Sequence, residues 1–153
     1  MFITEFRFSK FKIFLSLLVT YFIVTNSSAP THDQIIAISS PLATIAGILF
    51  GFVIASITFF SSNTNSTLVK SMKATKMYEK LMGNLATTGL ALIIGCIFLS
   101  ISIFLPSKTL PIYGVLSVNL DYGVLIFGFF FMIYGLFEFF GSWIKVNRVI
   151  PNM

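Results

Sequence analysis

Charge is scarce in this chain. Only 10% of its 153 residues are charged, against 56% hydrophobic, and the mean hydropathy is +0.94. A soluble domain needs more surface charge than that to stay dispersed. Cysteine is nearly absent: Cys96 stands alone within an apolar run, which excludes an internal disulfide and reads as a small packing residue. The single histidine, His32, cannot assemble the usual zinc ligand sets with one cysteine, so neither a metal nor another cofactor is expected. A glycine-rich phosphate loop with its lysine is missing, as is a GxSxG elbow. Paired aspartates or a serine with a histidine, which intramembrane proteolysis needs, are missing from the apolar runs as well. These absences argue against an enzyme, and His32 beside Asp33 reads as a solvated loop pair.

The charge that is present is ordered. Nine of the ten Lys and Arg residues fall in three stretches: Arg7, Lys10 and Lys12; Lys70, Lys73, Lys76 and Lys80; Lys145 and Arg148. Long uncharged runs separate them, and only Lys108 lies elsewhere. Basic residues collect on the cytoplasmic side of membrane proteins. The pattern therefore predicts four spans, at about residues 11–25, 41–60, 81–105 and 122–144, with both termini cytoplasmic. The expected fold is all-α, a single integral-membrane four-helix bundle covering residues 1–153. The formal charge of +5 flanks apolar runs, which points to topology and to anionic membrane lipid rather than to direct nucleic-acid binding.

The first run resembles a signal peptide, with Ser27-Ser28-Ala29 at the position of a cleavage site. Pro30 would follow the cut and opposes it, so a retained signal anchor is expected. Its core is short, which predicts that Phe6, Phe8 and Phe11 extend it while Lys10 and Lys12 snorkel back to the headgroups. Residues 35–40 either extend the second span or form an interfacial segment bending at Pro41. Residues 67–80 read as a basic amphipathic helix, with Leu68, Val69 and Met72 on one side and Lys70, Lys73 and Lys76 along another. The connector at residues 106–121 reads as external.

Small residues recur every fourth position in the second span: Ser39, Ala43, Gly47, Gly51 and Ala55. Residues four apart share a helix face, and absent side chains let another backbone approach. The third span carries a shorter version, Thr87, Ala91 and Gly95. Either these two stripes face each other or one makes a contact between copies in a homo-oligomer. Phenylalanines on several sides of the fourth span either face lipid widely or serve as simple hydrophobic filler.

Glu138 is the one ionisable residue well inside a predicted span. A charge there costs at least ~2.5 kcal/mol unless it pairs, protonates or meets water. Two readings are open: a carboxylate that snorkels inward or pairs with Lys80 or Lys145, and a ring of carboxylates at a gate or cation path in an oligomer.

The segment Ala43-Thr44-Ile45-Ala46-Gly47-Ile48-Leu49-Phe50-Gly51-Phe52, followed by a Ser/Asn-rich turn and the lysine helix, resembles KwaA, the four-helix membrane component of the Kiwa anti-phage defence system. The four-span arrangement extends this resemblance over the whole chain. It implies an oligomeric bacterial inner-membrane sensor or anchor that works with a cytosolic DNA-binding or nuclease partner, and it carries over no catalytic residue. The basic loop Lys70, Lys73, Lys76 and Lys80 is then the expected docking surface for that partner or for lipid. The alternative function is a small ion channel or pore-forming effector.

Overall fold

The computed structural model describes residues 10–26, 30–63, 67–74, 77–106, 109–112 and 116–149. Helix α1 covers Lys10–Asn26, α2 His32–Ser62, α3 Thr67–Ala74, α4 Met77–Phe104 and α5 Leu120–Val149. Between α4 and α5 lie two short strands, β1 (Thr109–Ile112) and β2 (Leu116–Asn119). They pair antiparallel in the register Thr109 with Asn119 through Ile112 with Leu116. The expectation of an all-α chain thus holds for the bundle but not for this connector.

Local chemistry sets the helix limits. The side chain of Gln34 accepts a hydrogen bond from the Thr31 backbone N–H at 3.0 Å, closing the start of α2. Asp33 adds a negative charge in the first turn, where the helix dipole favours it. The helix runs unbroken through Pro41, so residues 35–40 extend it rather than forming a separate segment. It stops at Asn63, whose N–H turns back to the Phe59 carbonyl. Pro106 follows the end of α4.

Three helices, α2, α4 and α5 (to Ile144), are long and apolar enough to cross a membrane. At 31 residues α2 is about 46 Å long, well beyond the ~30 Å of a hydrocarbon core. The 17 residues of α1 give only about 26 Å, and Phe6 and Phe8, expected to lengthen it, lie outside the described residues.

The centre of the bundle is the antiparallel pair α4–α5; α2 packs on α4, α1 lies along α5, and α3 docks on α4. One line of buried positions on α4 alternates by four and three: Leu81, Leu85, Thr88, Leu92, Gly95, Leu99 and Ser102. In α5 the same rhythm buries Asp121, Leu125, Gly128, Met132 and Gly135. This is heptad spacing, which keeps one seam facing its partner along the whole helix. The glycines set how close the helices come. A Cβ at Gly95 would stand 3.1 Å from the Gly128 carbonyl and the Met132 nitrogen, and one at Gly128 would stand 2.8 Å from the Leu99 nitrogen. Backbone thus meets backbone, the geometry by which helices associate where burial from water cannot drive them together. α5 therefore has two sides: this face meets α4 backbone to backbone, while Phe127, Phe140, Trp143 and Ile144 are exposed on its outer side.

Polarity is distributed in reverse of a soluble protein. Ser16, Ser39, Thr87, Thr88, Ser102, Asp121, Glu138 and Ser142 are buried, while Phe11, Phe22, Ile48, Phe52, Phe59 and Phe104 are exposed. So much apolar outer surface on helices of this length suits a lipid solvent. Two of the inner hydroxyls tie α2 to α4. Ser39 and Ser102 approach to 2.8 Å, and Ser102 also donates to the Leu99 carbonyl at 2.7 Å. Ser102 has one proton and spends it on Leu99, so Ser39 is the donor of the interhelical bond. Ser102→Ala should therefore cost about 1–2 kcal/mol by leaving the Ser39 hydroxyl without its acceptor, and Ser39→Ala should cost less. Equal costs in an unfolding titration in bilayer discs would show the opposite assignment to be correct.

Candidate functional site

The small-residue stripe of α2 separates into two parts. Ser39 is fully buried and Ala43 half-buried against α4, where its carbonyl accepts from the Cys96 thiol at 3.6 Å. Gly47, Gly51 and Ala55 are exposed, and nothing lies within 4 Å of a Cβ built at either glycine. Helix geometry explains this. Each step of four residues turns about 40° beyond a full circle, so the stripe rotates about 160° between Ser39 and Ala55. The line that stays on α4 is Ser39, Ala46 and Val53, seven apart and all fully buried, because a heptad slips by only about 20°. In α4, Thr87, Ala91 and Gly95 are all buried, with Gly95 set against α5. The two stripes therefore do not face each other: what meets α2 near its middle is Gly89, next to Val53 and Phe50.

The basic stretch is two helices, with residues 75 and 76, and hence Lys76, outside the described residues. Val69 and Met72 bury themselves to 1% and 2% exposure and hold α3 to the bundle. Met72 joins a core of Val53, Leu81, Met82, Leu85 and Leu92. Lys70 and Lys73 point outward, and the Lys73 ammonium stands 5.3 Å from the centre of the Tyr78 ring, within cation–π range. Lys80 is exposed too, but on the first turn of α4 beside Glu79.

Glu138 is 3% exposed; among the described contacts its partner is not Lys80, and the Lys145 side chain lies outside the described residues. Lys12 of α1 reaches across to it, Nζ to Oε2 at 2.8 Å, and the Tyr134 hydroxyl donates to Oε1 at 3.1 Å. Rather than snorkelling to headgroups as the sequence suggests, Lys12 runs its stem across α5 over Gly141. A Cβ at Gly141 would stand 2.5 Å from the ammonium, so a larger residue there obliges the end of the flexible lysine stem to shift. One turn beyond Glu138, Ser142 donates to its backbone carbonyl. The signal in the sequence was a polar line on α1, Lys12, Ser16 and Thr20 at intervals of four, matched by Tyr134 and Glu138 at the same interval on α5. Two residues four apart on each helix make a strip, but nothing local says which strips meet.

At the opposite end of α5, Asp121 is 1% exposed and takes the Nδ1 of His32 at 3.1 Å. Its other oxygen accepts the Tyr122 N–H at 2.8 Å. His32 therefore pairs with a residue 89 positions away, not with its neighbour Asp33, and ties the start of α2 to the start of α5. Among the described residues no three His, Cys, Asp or Glu side chains come together as a metal would require. Two buried atoms, Thr20 Oγ1 and Asn84 Nδ2, have no hydrogen-bond partner among the described residues.

Compared with protein-family models, with curated proteins and with solved structures, the chain matches none.

Proposed function

We propose that this chain is a multi-pass bacterial inner-membrane protein, both ends cytoplasmic, that forms a homo-oligomer and acts as the sensor or anchor subunit of an anti-phage defence complex of the KwaA type. It presents its basic helix to a cytosolic DNA-binding or nuclease partner. The observation that carries the reading is the way α3 is mounted: Val69 and Met72 fix it to the bundle, which leaves Lys70 and Lys73 outward. A helix held this way moves when the bundle moves, so a tilt of the spanning helices changes how the lysines are displayed. Each lysine near an anionic membrane surface contributes about 1 kcal/mol, so partner and lipid compete for the same charges. The open face of Gly47, Gly51 and Ala55 supports contact between copies. The paired state of Glu138, held by Lys12 and Tyr134, supports an ion-pair strap over a carboxylate lining a conducting path.

The test separates the two surfaces. Lys70→Glu, Lys73→Glu and Lys76→Glu together should abolish co-purification of DNA-binding or nuclease activity from native membranes while the oligomer persists by mass photometry. Gly47→Val with Gly51→Val should do the reverse and dissociate the oligomer into folded single copies. Retained partner activity after triple charge reversal rejects α3 as the docking surface.

A further inference from the structure

A cleft of about 490 Å³ opens between α1, α2 and α5, near the end of the bundle that carries the His32–Asp121 pair. It exists because α1 follows α5 and stands away from α2. Its walls are mostly apolar, with Ile23 and Val24 of α1, Ala37 and Ile38 of α2 and Ile126 and Phe129 of α5; the exception is Thr20 of α1, whose buried hydroxyl has no hydrogen-bond partner among the described residues. Ile23 and Ile38 are 42% and 44% exposed, so these walls continue onto the outer apolar faces of their helices, and the cleft opens sideways. Polar groups collect at its mouth: Asn26, Gln34 and Tyr122. The Gln34 carbonyl oxygen is taken by the Thr31 N–H, which leaves its two amide hydrogens as donors at that mouth. Deeper in, Pro41 has no N–H to give the Ala37 carbonyl.

We infer that this cleft is a binding site for a membrane glycerophospholipid, one acyl chain lying between α1 and α2 and the ester and phosphate oxygens meeting the donors at the mouth. The inference rests on the membrane-embedded reading above and names what the sensor would bind there. A cleft of about 490 Å³ that opens sideways is in the size range of a small-ligand pocket, which suits a single acyl chain entering from the bilayer. The apolar walls give no advantage by themselves, since bulk lipid is equally apolar. Selectivity comes from the fit of one chain in a cleft of fixed width and from the donors at its mouth. Tyrosine at that level also matches the headgroup boundary, where its ring and hydroxyl face different media. A chain that enters the cleft holds α1 away from α2 and leaves α1 on α5, where Lys12 meets Glu138.

The full chain is reconstituted in discs of phosphatidylethanolamine and phosphatidylglycerol that hold a trace of phosphatidylglycerol with a diazirine on one acyl chain. After photolysis, labelled residues are mapped by mass spectrometry. Ile23, Ile38 and Ile126 should carry about tenfold more label than Ile93, Ile97 and Ile101 on the outer face of α4, tenfold being about 1.4 kcal/mol of preference over bulk lipid. Ala37→Phe, which fills the cleft, should bring the cleft residues down to the α4 level with helical content unchanged; Ile126→Trp serves if the first variant does not fold. Equal labelling of cleft and α4 in the unaltered chain overturns the site while leaving the membrane reading intact. Absence of label from every helix overturns both.

Discussion

Lys12→Met should lower the stability of the bundle by about 3–5 kcal/mol, the cost of leaving one member of a buried ion pair without the other. Glu138 is 3% exposed and keeps only the Tyr134 hydroxyl in that variant. Glu138→Gln should cost much less. Lys12 is 21% exposed and carries its charge on a flexible stem, so its ammonium can turn to water or headgroups when the carboxylate is gone. Lys12→Met combined with Glu138→Gln should therefore recover most of the loss. Gly141→Ala provides a geometric control: its new Cβ occupies the path of the Lys12 ammonium without changing either charge. It should cost far less than Lys12→Met, because the ammonium ends a flexible stem that can shift, and what effect remains should disappear in the Lys12→Met background. The measurement is an unfolding titration in bilayer discs with all variants in one double-mutant cycle. Additive losses for Lys12→Met and Glu138→Gln would mean that the two side chains do not interact in the membrane.

Gly128→Val should be at least as damaging, by a different mechanism. The new side chain would meet the Leu99 nitrogen at 2.8 Å, and a backbone atom in a helix cannot move aside alone. The whole α4–α5 seam must open, which forfeits the contacts of Met132 and Leu99 in the adjacent core. Overpacking usually costs about 1–3 kcal/mol where side chains absorb it, and this site lies above that range because backbone takes the strain. Gly135→Ala should cost less, since the atoms it meets belong to the Leu92 side chain, which can change rotamer. Gly47→Val, with open space around it, should leave the single-copy fold unchanged. The order Gly128, Gly135, Gly47 is read as the fraction of chain that stays folded on mild heating in detergent. A Gly47 variant that unfolds like the Gly128 variant would place the α2 stripe inside the fold.

The order of these glycines shows where sequence reading succeeded and where it stopped. The four-residue repeat around Gly47 and Gly51 is conspicuous in the sequence, yet both glycines stand open, while the heptad-spaced Gly128 and Gly135, surrounded by phenylalanine, form the closest contact. Both patterns put small residues on one face of a helix. A repeat of four rotates off a straight partner within a few turns, whereas a repeat of seven follows it. The lysine helix was legible in part: Val69 and Met72 are buried on one side as expected, but the Leu68 side chain lies outside the described residues and the stretch belongs to two helices rather than one.

Hydropathy and charge order, both read along the chain, were enough to place the long helices, the basic segment and the break at Pro106. Backbone hydrogen bonds in a helix are local, and a run of apolar residues needs no distant partner to become one. They did not determine which face of each helix turned inward, because an apolar helix looks alike from every side. Only the tertiary structure decided that Lys12, 126 residues away in sequence, is the partner of Glu138, and that Asp121 takes His32. Those pairings follow from α1 and α2 each crossing α5, and a carboxylate held in an apolar interior takes whichever donor the crossing brings within reach.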